Sequence, residues 1–409
     1  MTCRHHVRPR LANVTPAPWK IMLPLISTHN RIFCDPESLR VSMSLPTHTQ
    51  VWRVKNSPAQ SVVLDFSDDA TFALTEEPLP RIEDGEMLVE NVYFSNDPVQ
   101  RSLIQKDVLE ESLCAPPVRE GGVVISHSVA RILAINDNTS SGFKVDDLIF
   151  CMTAGWRRYA VVKANSSACL PLMVPENVPI TAALGLFGIS GYTAYYGLKD
   201  ILKLKEGDSL IVSGAAGAVG NIVVQYAKNV IKAKTVIGIA GSEKKCKWLK
   251  EIGADIALNY KADTFPQDLH DATPNLVDAF FDNVGGFILD LAITRIKRFG
   301  RIAACGSISG YDKDVGIPTM GTTWSEVTTK RLVIQGFTAL DFMFPADGSQ
   351  RVATEGYPDI ANALQRGDIT LEDAEEIVEV PFTDVPQVWG MLFTGGNSGK
   401  LVTKLKPMA

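Results

Sequence analysis

Gly214, Gly217 and Gly220 stand at three-residue intervals between an apolar run that starts at Ser209 and a helix-like stretch, in SLIVSGAAGAVGNIVVQYAK. A pyrophosphate needs such a turn, because side chains there would hold it away from the backbone N–H groups and the positive end of the helix. A second apolar run, Thr235–Ala240, completes a βαβ unit, and the residues after it bear on which dinucleotide fits. A site for NAD places Asp or Glu about 20 residues past the glycines to hold the ribose 2′-hydroxyl. Here the position is Gly241-Ser242, followed by Glu243, Lys244 and Lys245. A small turn with cations suits a 2′-phosphate, so the predicted cofactor is NADP(H), with Lys245 as its phosphate contact. Lys244 fits a solvated helix start at least as well. The spacing G-x-x-G-x-x-G departs from the usual G-x-G-x-x-G, so the reading rests on the strand, turn, helix and second strand together.

Around this unit the chain divides by pattern. Met87–Phe94 alternates like a strand, Gly122–Ile135 holds strand-like runs, and Leu148–Met152 and Tyr159–Lys163 continue the pattern. The first third is therefore β-rich. An α/β region is expected from Glu176 to Phe344, with later strands at Val277–Asp282, Arg301–Cys305 and Leu332–Phe337. The C-terminal part returns to mixed structure, with a strand at Ile377–Pro381, a helix near Val385–Phe393 and a final strand at Lys400–Leu405. The expected arrangement is a β-rich domain of residues 43–175, completed by 345–409, with a doubly wound α/β domain of residues 176–344 inserted.

A chain of 409 residues, 45% hydrophobic and 21% charged, has room for two domains, and its net charge of −6 argues against a nucleic-acid or anionic-membrane partner. Its seven cysteines show no C-x-x-C spacing, so neither a zinc cluster nor a disulfide framework is indicated and a reducing compartment is expected. The uncharged run Asn177–Leu198 has the length of a membrane span. It contains Pro179, Gly185, Gly188, Gly191, Gly197 and several hydroxyl groups, which favours a helix buried in a soluble core. Residues 1–42 carry Arg4, Arg8, Arg10, Lys20, Arg31 and Arg40 against Asp35 and Glu37. That bias fits an organelle transit segment, but Pro9, Pro16, Pro18 and Pro24 would break its helix. A disordered tail, or a true start at Met43, is the alternative. The expected location is cytoplasmic, or mitochondrial if the transit reading holds.

The stretches GYTAYYGL (191–198), AAGAVG (215–220), Ala240-Gly241-Ser242, Asn259-Tyr260, FDNVGG (281–286), FGRI (299–302), Cys305-Gly306 with Ile308-Ser309, and Gly399-Lys400 resemble the medium-chain dehydrogenase/reductase superfamily. The resemblance is to its zinc-free branch of alkenal double-bond reductases and covers roughly Val51 to Leu405. It implies a GroES-like β-rich catalytic domain, a Rossmann cofactor domain and a homodimer. Zinc-dependent relatives carry a G-H-E run, a cysteine ligand and a four-cysteine lobe. Here the corresponding segment is Glu120-Gly-Gly-Val-Val-Ile-Ser-His-Ser128, whose His127 has no neighbouring carboxylate, and no metal site is expected.

The chemistry so implied is reduction of an enal or enone C=C bond by NADPH, with hydride going to the β-carbon and negative charge developing on the carbonyl oxygen. Tyr311, after the C-G-x-I-S turn, matches the family tyrosine beside the nicotinamide, and its phenol would donate to the enolate directly or through a ribose hydroxyl. The resemblance further implies pyrophosphate contacts at Gly217, Ala218, Val219 and Gly220, and 2′-phosphate-side contacts at Lys245 and Tyr260. Asn283 lies after a parallel strand, and Cys305, Gly306, Ser307, Ile308, Ser309, Phe337, Thr338, Ala339 and Asn397 would line the nicotinamide side. Cys305 reads as a turn residue and not a nucleophile. Where the family has V-D-P-Y-M-R, this chain has Asn96-Asp97-Pro98-Val99-Gln100-Arg101, so Val99 leaves a roomier, less polar pocket. Competing readings are an NADPH quinone reductase, a tailoring enoyl reductase of secondary metabolism, and a protein that binds NADPH without catalysis.

Overall fold

The structure, a computed structural model, describes residues 44–136, 141–311 and 323–407, so the expectations for residues 1–42 lie outside the described residues. The β-rich part carries β1 (His48–Val54), β2 (Phe72–Pro78), β3 (Glu86–Ser95), a short α1 (Val99–Leu103), β4 (Ser128–Asn136), β5 (Leu148–Cys151), β6 (Tyr159–Lys163) and β7 (Cys169–Pro171). The α/β part begins with α2 (Ile189–Tyr196), β8 (Ser209–Val212), α3 (Ala218–Gln225), β9 (Thr235–Ala240), α4 (Glu243–Glu251) and β10 (Ile256–Asn259). It continues through α5 (Phe265–Ala272), β11 (Val277–Asp282), α6 (Gly286–Thr294), β12 (Ile296–Ala304), α7 (Trp324–Lys330), β13 (Val333–Gly336), α8 (Leu340–Met343) and α9 (Tyr357–Gln365). The chain then returns through β14 (Glu375–Val380), α10 (Val385–Thr394) and β15 (Lys400–Leu405).

The α/β sheet is wholly parallel, in the order β10-β9-β8-β11-β12-β13. Strands buried on both faces need apolar side chains on both. Accordingly Ile211, Val212, Val236, Ile237, Phe280 and Phe281 are 0% exposed. Each such side chain contributes about 1.5–3 kcal/mol on burial. The strand order reverses between β8 and β11, which in sheets of this kind puts a crevice at their carboxyl ends. Both the Gly214–Gly220 turn and Asn283 leave the sheet there.

The β-rich part is a seven-stranded sheet in the order β14-β15-β3-β4-β5-β7, with β6 also on β3, beside the antiparallel pair β1–β2. Its core joins distant segments: the Trp156 ring lies 5.3 Å from Phe72 and 5.8 Å from Trp389 on α10. Ile360, Ala363 and Ile369 are buried in the same apolar cluster as Tyr195, Leu210 and Val223. Thus α9 belongs to the packing of the α/β part, and the chain rejoins the β-rich sheet at β14.

The run 177–198 folds as a short 3-10 turn over Ile180–Ala183 and then α2, whose Ser190–Tyr196 are buried. Gly188 separates the two, since a Cβ there would stand 2.4 Å from the Ala183 carbonyl oxygen. Among the described residues, no helix is long and apolar enough to cross a membrane.

Candidate active site

The glycine-rich turn owes its shape to two positions. Gly214 has φ +56°, in the left-handed region, and a Cβ on Gly220 would stand 2.3 Å from the Gly214 carbonyl oxygen. As the first residues of α3, Ala218, Val219 and Gly220 carry N–H groups that have no acceptor within the helix. The C-terminal segment lies alongside: Gly399 N donates to Ala216 O at 2.8 Å, in a parallel bridge with Gly217. Asn397 is held just before it, its Nδ2 donating to Gly399 O at 3.1 Å.

Across the switch point a polar knot fixes the second loop. Asp282 is buried, and its Oδ1 accepts from Ser213 Oγ (2.7 Å), Val284 N (3.1 Å) and Gly285 N (3.0 Å). Burial pushes its carboxyl above the ordinary value, against these hydrogen bonds. Asn283 N donates to Ser213 Oγ at 2.9 Å and its Nδ2 to Ser213 O at 2.7 Å. The next pair, Gly285 (φ +68°) and Gly286 (φ +61°), lies under the following turn. Cβ atoms there would stand 2.8 Å from Ser307 Oγ and 2.7 Å from Ser309 Oγ. Hence FDNVGG and CGSIS occur together: each small residue of one makes room for a hydroxyl of the other.

Cys305 N and Gly306 N both donate to Asp282 O, at 2.9 and 3.1 Å. Burial, aided by Asp282, pushes the Cys305 thiol up to about 12, so it remains a thiol at neutral pH. Tyr311 closes the turn, its phenol oxygen accepting from Ser307 N at 3.4 Å. Burial raises the phenol above its ordinary value although that N–H opposes the shift, and Cys305 and Cys114 both bear on it electrostatically. The result is a neutral, half-buried O–H donor.

At the far end of the crevice Ser242 caps α4, its Oγ accepting from Lys245 N at 3.3 Å. The Lys245 ammonium donates to Gly395 O at 3.0 Å. Burial and the neighbouring Lys261 lower its pKa, while Glu376 raises it. The Tyr260 ring covers Gly241, where a Cβ would stand 2.9 Å from Cε1, and Lys261 Nζ lies 6.0 Å from that ring's centre. Lys261 is a second cation that the sequence reading missed; its only signal was its place after Asn259-Tyr260. Lys244 is exposed.

Not every expected side chain faces the crevice. The Phe337 ring packs edge-on against Phe281 at 6.0 Å, and Ala339 is 2% exposed in the apolar core. Thr338 Oγ1 accepts from Leu340 N at 3.3 Å. His127 stacks on Phe150 at 5.8 Å and faces Asp97 Oδ2 at 3.7 Å. Among the described residues no three His, Cys, Asp or Glu side chains group to hold a metal ion.

The glycine-rich turn, the Asp282–Asn283 knot, Lys245 and Lys261 all follow the carboxyl ends of strands in the parallel sheet. Known proteins carry the same plan. Residues 52–170 match the N-terminal domain of oxidoreductase family and residues 218–352 the zinc-binding dehydrogenase family. Prostaglandin reductase 1 of Bos taurus is 32% identical over 358 residues, 87% of this chain and 99% of the bovine protein. The chain belongs to the zinc-free alkenal reductase branch of the medium-chain dehydrogenase/reductase superfamily. Within this branch, the NADPH-dependent curcumin reductase of Escherichia coli is 30% identical, covering 82% of this chain and 92% of its own. The crystal structure of CurA in complex with NADPH from Vibrio vulnificus superimposes with a TM-score of 0.76 at 30% identity, covering 88% of this chain and 100% of that one. The branch's GroES-like and Rossmann domains are the two parts described above.

Proposed function

We propose that this protein is an NADPH-dependent reductase of the C=C bond in α,β-unsaturated aldehydes and ketones, working without zinc. Relatives named prostaglandin reductase and NADPH-dependent curcumin reductase support the reaction class. The observation that carries the residue assignment is Tyr311: a neutral phenol, oriented by Ser307 N, on the turn that follows the switch point. When bound, NADPH would supply the hydride, from nicotinamide C4 to the substrate β-carbon. Gly217, Ala218, Val219 and Gly220 hold the pyrophosphate through backbone N–H groups. Lys245 and Lys261, with Tyr260, hold the 2′-phosphate side. Asn283, the Cys305–Ser309 turn, the 337–339 backbone and Asn397 shape the nicotinamide side. The Tyr311 phenol donates to the carbonyl oxygen as it gains charge, in a site where a fixed donor is worth more than water.

Removing the Lys245 charge, as Lys245→Ala, should weaken NADPH binding by about 1.5–3 kcal/mol, the range for a charged hydrogen bond. NADH affinity should barely change. Equal losses for both cofactors in a fluorescence titration would separate Lys245 from the phosphate.

We further infer a homodimer, in the cytoplasm, or in mitochondria if residues 1–42 are a transit segment. The edge strand β13 leaves Val333 54% exposed beside Phe299 at 65%, and Arg331 lies 4.6 Å over the Phe299 ring. A second copy would cover this edge, which sheets do not leave open without cost.

The direct test of the activity follows NADPH oxidation with a medium-chain 2-alkenal, an aryl enone, a quinone and a saturated aldehyde, with product analysis. Saturated carbonyl products from the first two, with the saturated aldehyde untouched, are expected. Turnover of the quinone alone would assign the protein to quinone reduction.

A further inference from the structure

Cys151 ends β5 and Cys169 opens β7, and the two face each other across the antiparallel pair. Met152 N donates to Ala168 O at 2.8 Å. Met152 and Ala168 are thus a hydrogen-bonded rung, and Cys151 and Cys169 form the non-hydrogen-bonded rung beside it. At such a rung the Cα atoms stand about 4.5 Å apart and the side chains lean together. That spacing lies inside the window of about 4.4–6.8 Å that a disulfide tolerates. The two sulfurs are already 3.7 Å apart, and both thiols are free.

The surroundings favour a defined chemistry. Cys151 is 0% and Cys169 3% exposed, packed with Val89, Ala130, Ile149 and Ala160. A bulky electrophile has no path to them. However, β7 spans only Cys169–Pro171 and lies at the edge of its sheet, so local opening there costs few backbone hydrogen bonds. The Cys169 S–H, with the N–H groups of Thr153 and Ala154, lowers the Cys151 thiol from its ordinary value against the effect of burial. The Cys169 thiol is pushed up, first by its bond to Cys151 and then by burial. Cys151 is therefore the sulfur that ionises more readily, and Cys169 its adjacent proton donor.

We propose that Cys151 and Cys169 are a reversible oxidation site that closes to a cross-strand disulfide, with hydrogen peroxide as the oxidant small enough to enter. The Cys151 thiolate attacks one peroxide oxygen, the O–O bond breaks, and the departing hydroxide takes a proton to become water. The sulfenic acid left on Cys151 is then attacked by the Cys169 sulfur as that thiol gives up its proton. The S–S bond forms, the S–O bond breaks and a second water leaves. Two thiols and one peroxide thus give one disulfide and two waters, both electrons passing from sulfur to peroxide oxygen. A dithiol reductant reverses the link by exchange. At rest the pair is reduced, as a reducing compartment requires.

The test uses the full chain with NADPH bound. Peroxide is raised until the exposed Cys114 is oxidised, the protein is denatured in an alkylating reagent, and its peptides are mapped by mass. The expected result is a Cys151 peptide linked to the Cys169 peptide, which separates into two alkylatable thiols after dithiothreitol. In Cys169→Ala the link should vanish and Cys151 should proceed to sulfinic acid. Recovery of both wild-type thiols as free alkylated cysteines, at a dose that oxidises Cys114, would overturn the proposal. So would linkage of either one to a different cysteine.

Discussion

Replacing Tyr311 by Phe is expected to lower kcat for enone reduction by about 10²–10³-fold, the usual loss on removing one donor to a developing oxyanion. NADPH binding should be nearly unchanged, because Asp282 O, Ser307 and Ser309 fix the turn and the variant costs it only the long 3.4 Å bond from Ser307 N to the phenol oxygen. The phenol's raised pKa sets the pH dependence. Burial keeps the proton in place, so the donor is present throughout the neutral range and is lost only as pH rises through the raised value. Wild-type turnover should therefore fall on the alkaline side, and Tyr311→Phe should lack that limb. Unaltered turnover of a good substrate in the variant would remove Tyr311 from the mechanism.

Lys400→Met is expected to destabilise the protein by about 3–5 kcal/mol, the effect of leaving a buried charge without its partner. Lys400 is 2% exposed, and its Nζ donates to Asp97 Oδ1 at 2.6 Å and to Asn96 O at 3.0 Å. Asp97 Oδ2 accepts from Ser95 Oγ at 2.5 Å. Burial opposes ionisation of Asp97, but Lys400 and His127 hold the carboxyl well below the usual carboxylate range. A carboxyl depressed in the folded state contributes fully above its unfolded pKa and is lost only as pH falls through the folded one. The pair should thus survive mild acid. Chemical denaturation should show the loss in Lys400→Met and a partial recovery when Asp97→Asn is added. A single variant as stable as the wild type would mean that the pair does not hold α1 to β15.

Where the physical signal is local, the sequence reads well. β6, β9, β11 and β15 begin and end where their apolar or alternating runs do, because strands in these positions need such residues along their whole length. The glycine-rich turn is legible for the same reason, since it lies within a short span around the end of β8. What the reading lost depends on pairing between distant segments. The β1–β2 pair joins runs separated by a loop, and α9 has an apolar face that does not say which core it fills. Asp97 and Lys400 each stood in a recognisable stretch, yet only the fold joins them. Cys151 and Cys169 lack any motif spacing, and their meeting rests on the register of two short strands. The proposal for Lys261 needed the position of the Tyr260 ring. Phe337 and Ala339 lie where expected along the chain but turn inward, because Phe281 and the α2 face require apolar cover.

The most direct test of the central claim is to run the reaction with NADPH carrying deuterium at nicotinamide C4, on the face the enzyme uses, and a medium-chain 2-alkenal as substrate. The expected product is a saturated aldehyde with deuterium on the former β-carbon and a solvent-derived hydrogen on the α-carbon. An allylic alcohol with deuterium on the former carbonyl carbon would contradict it.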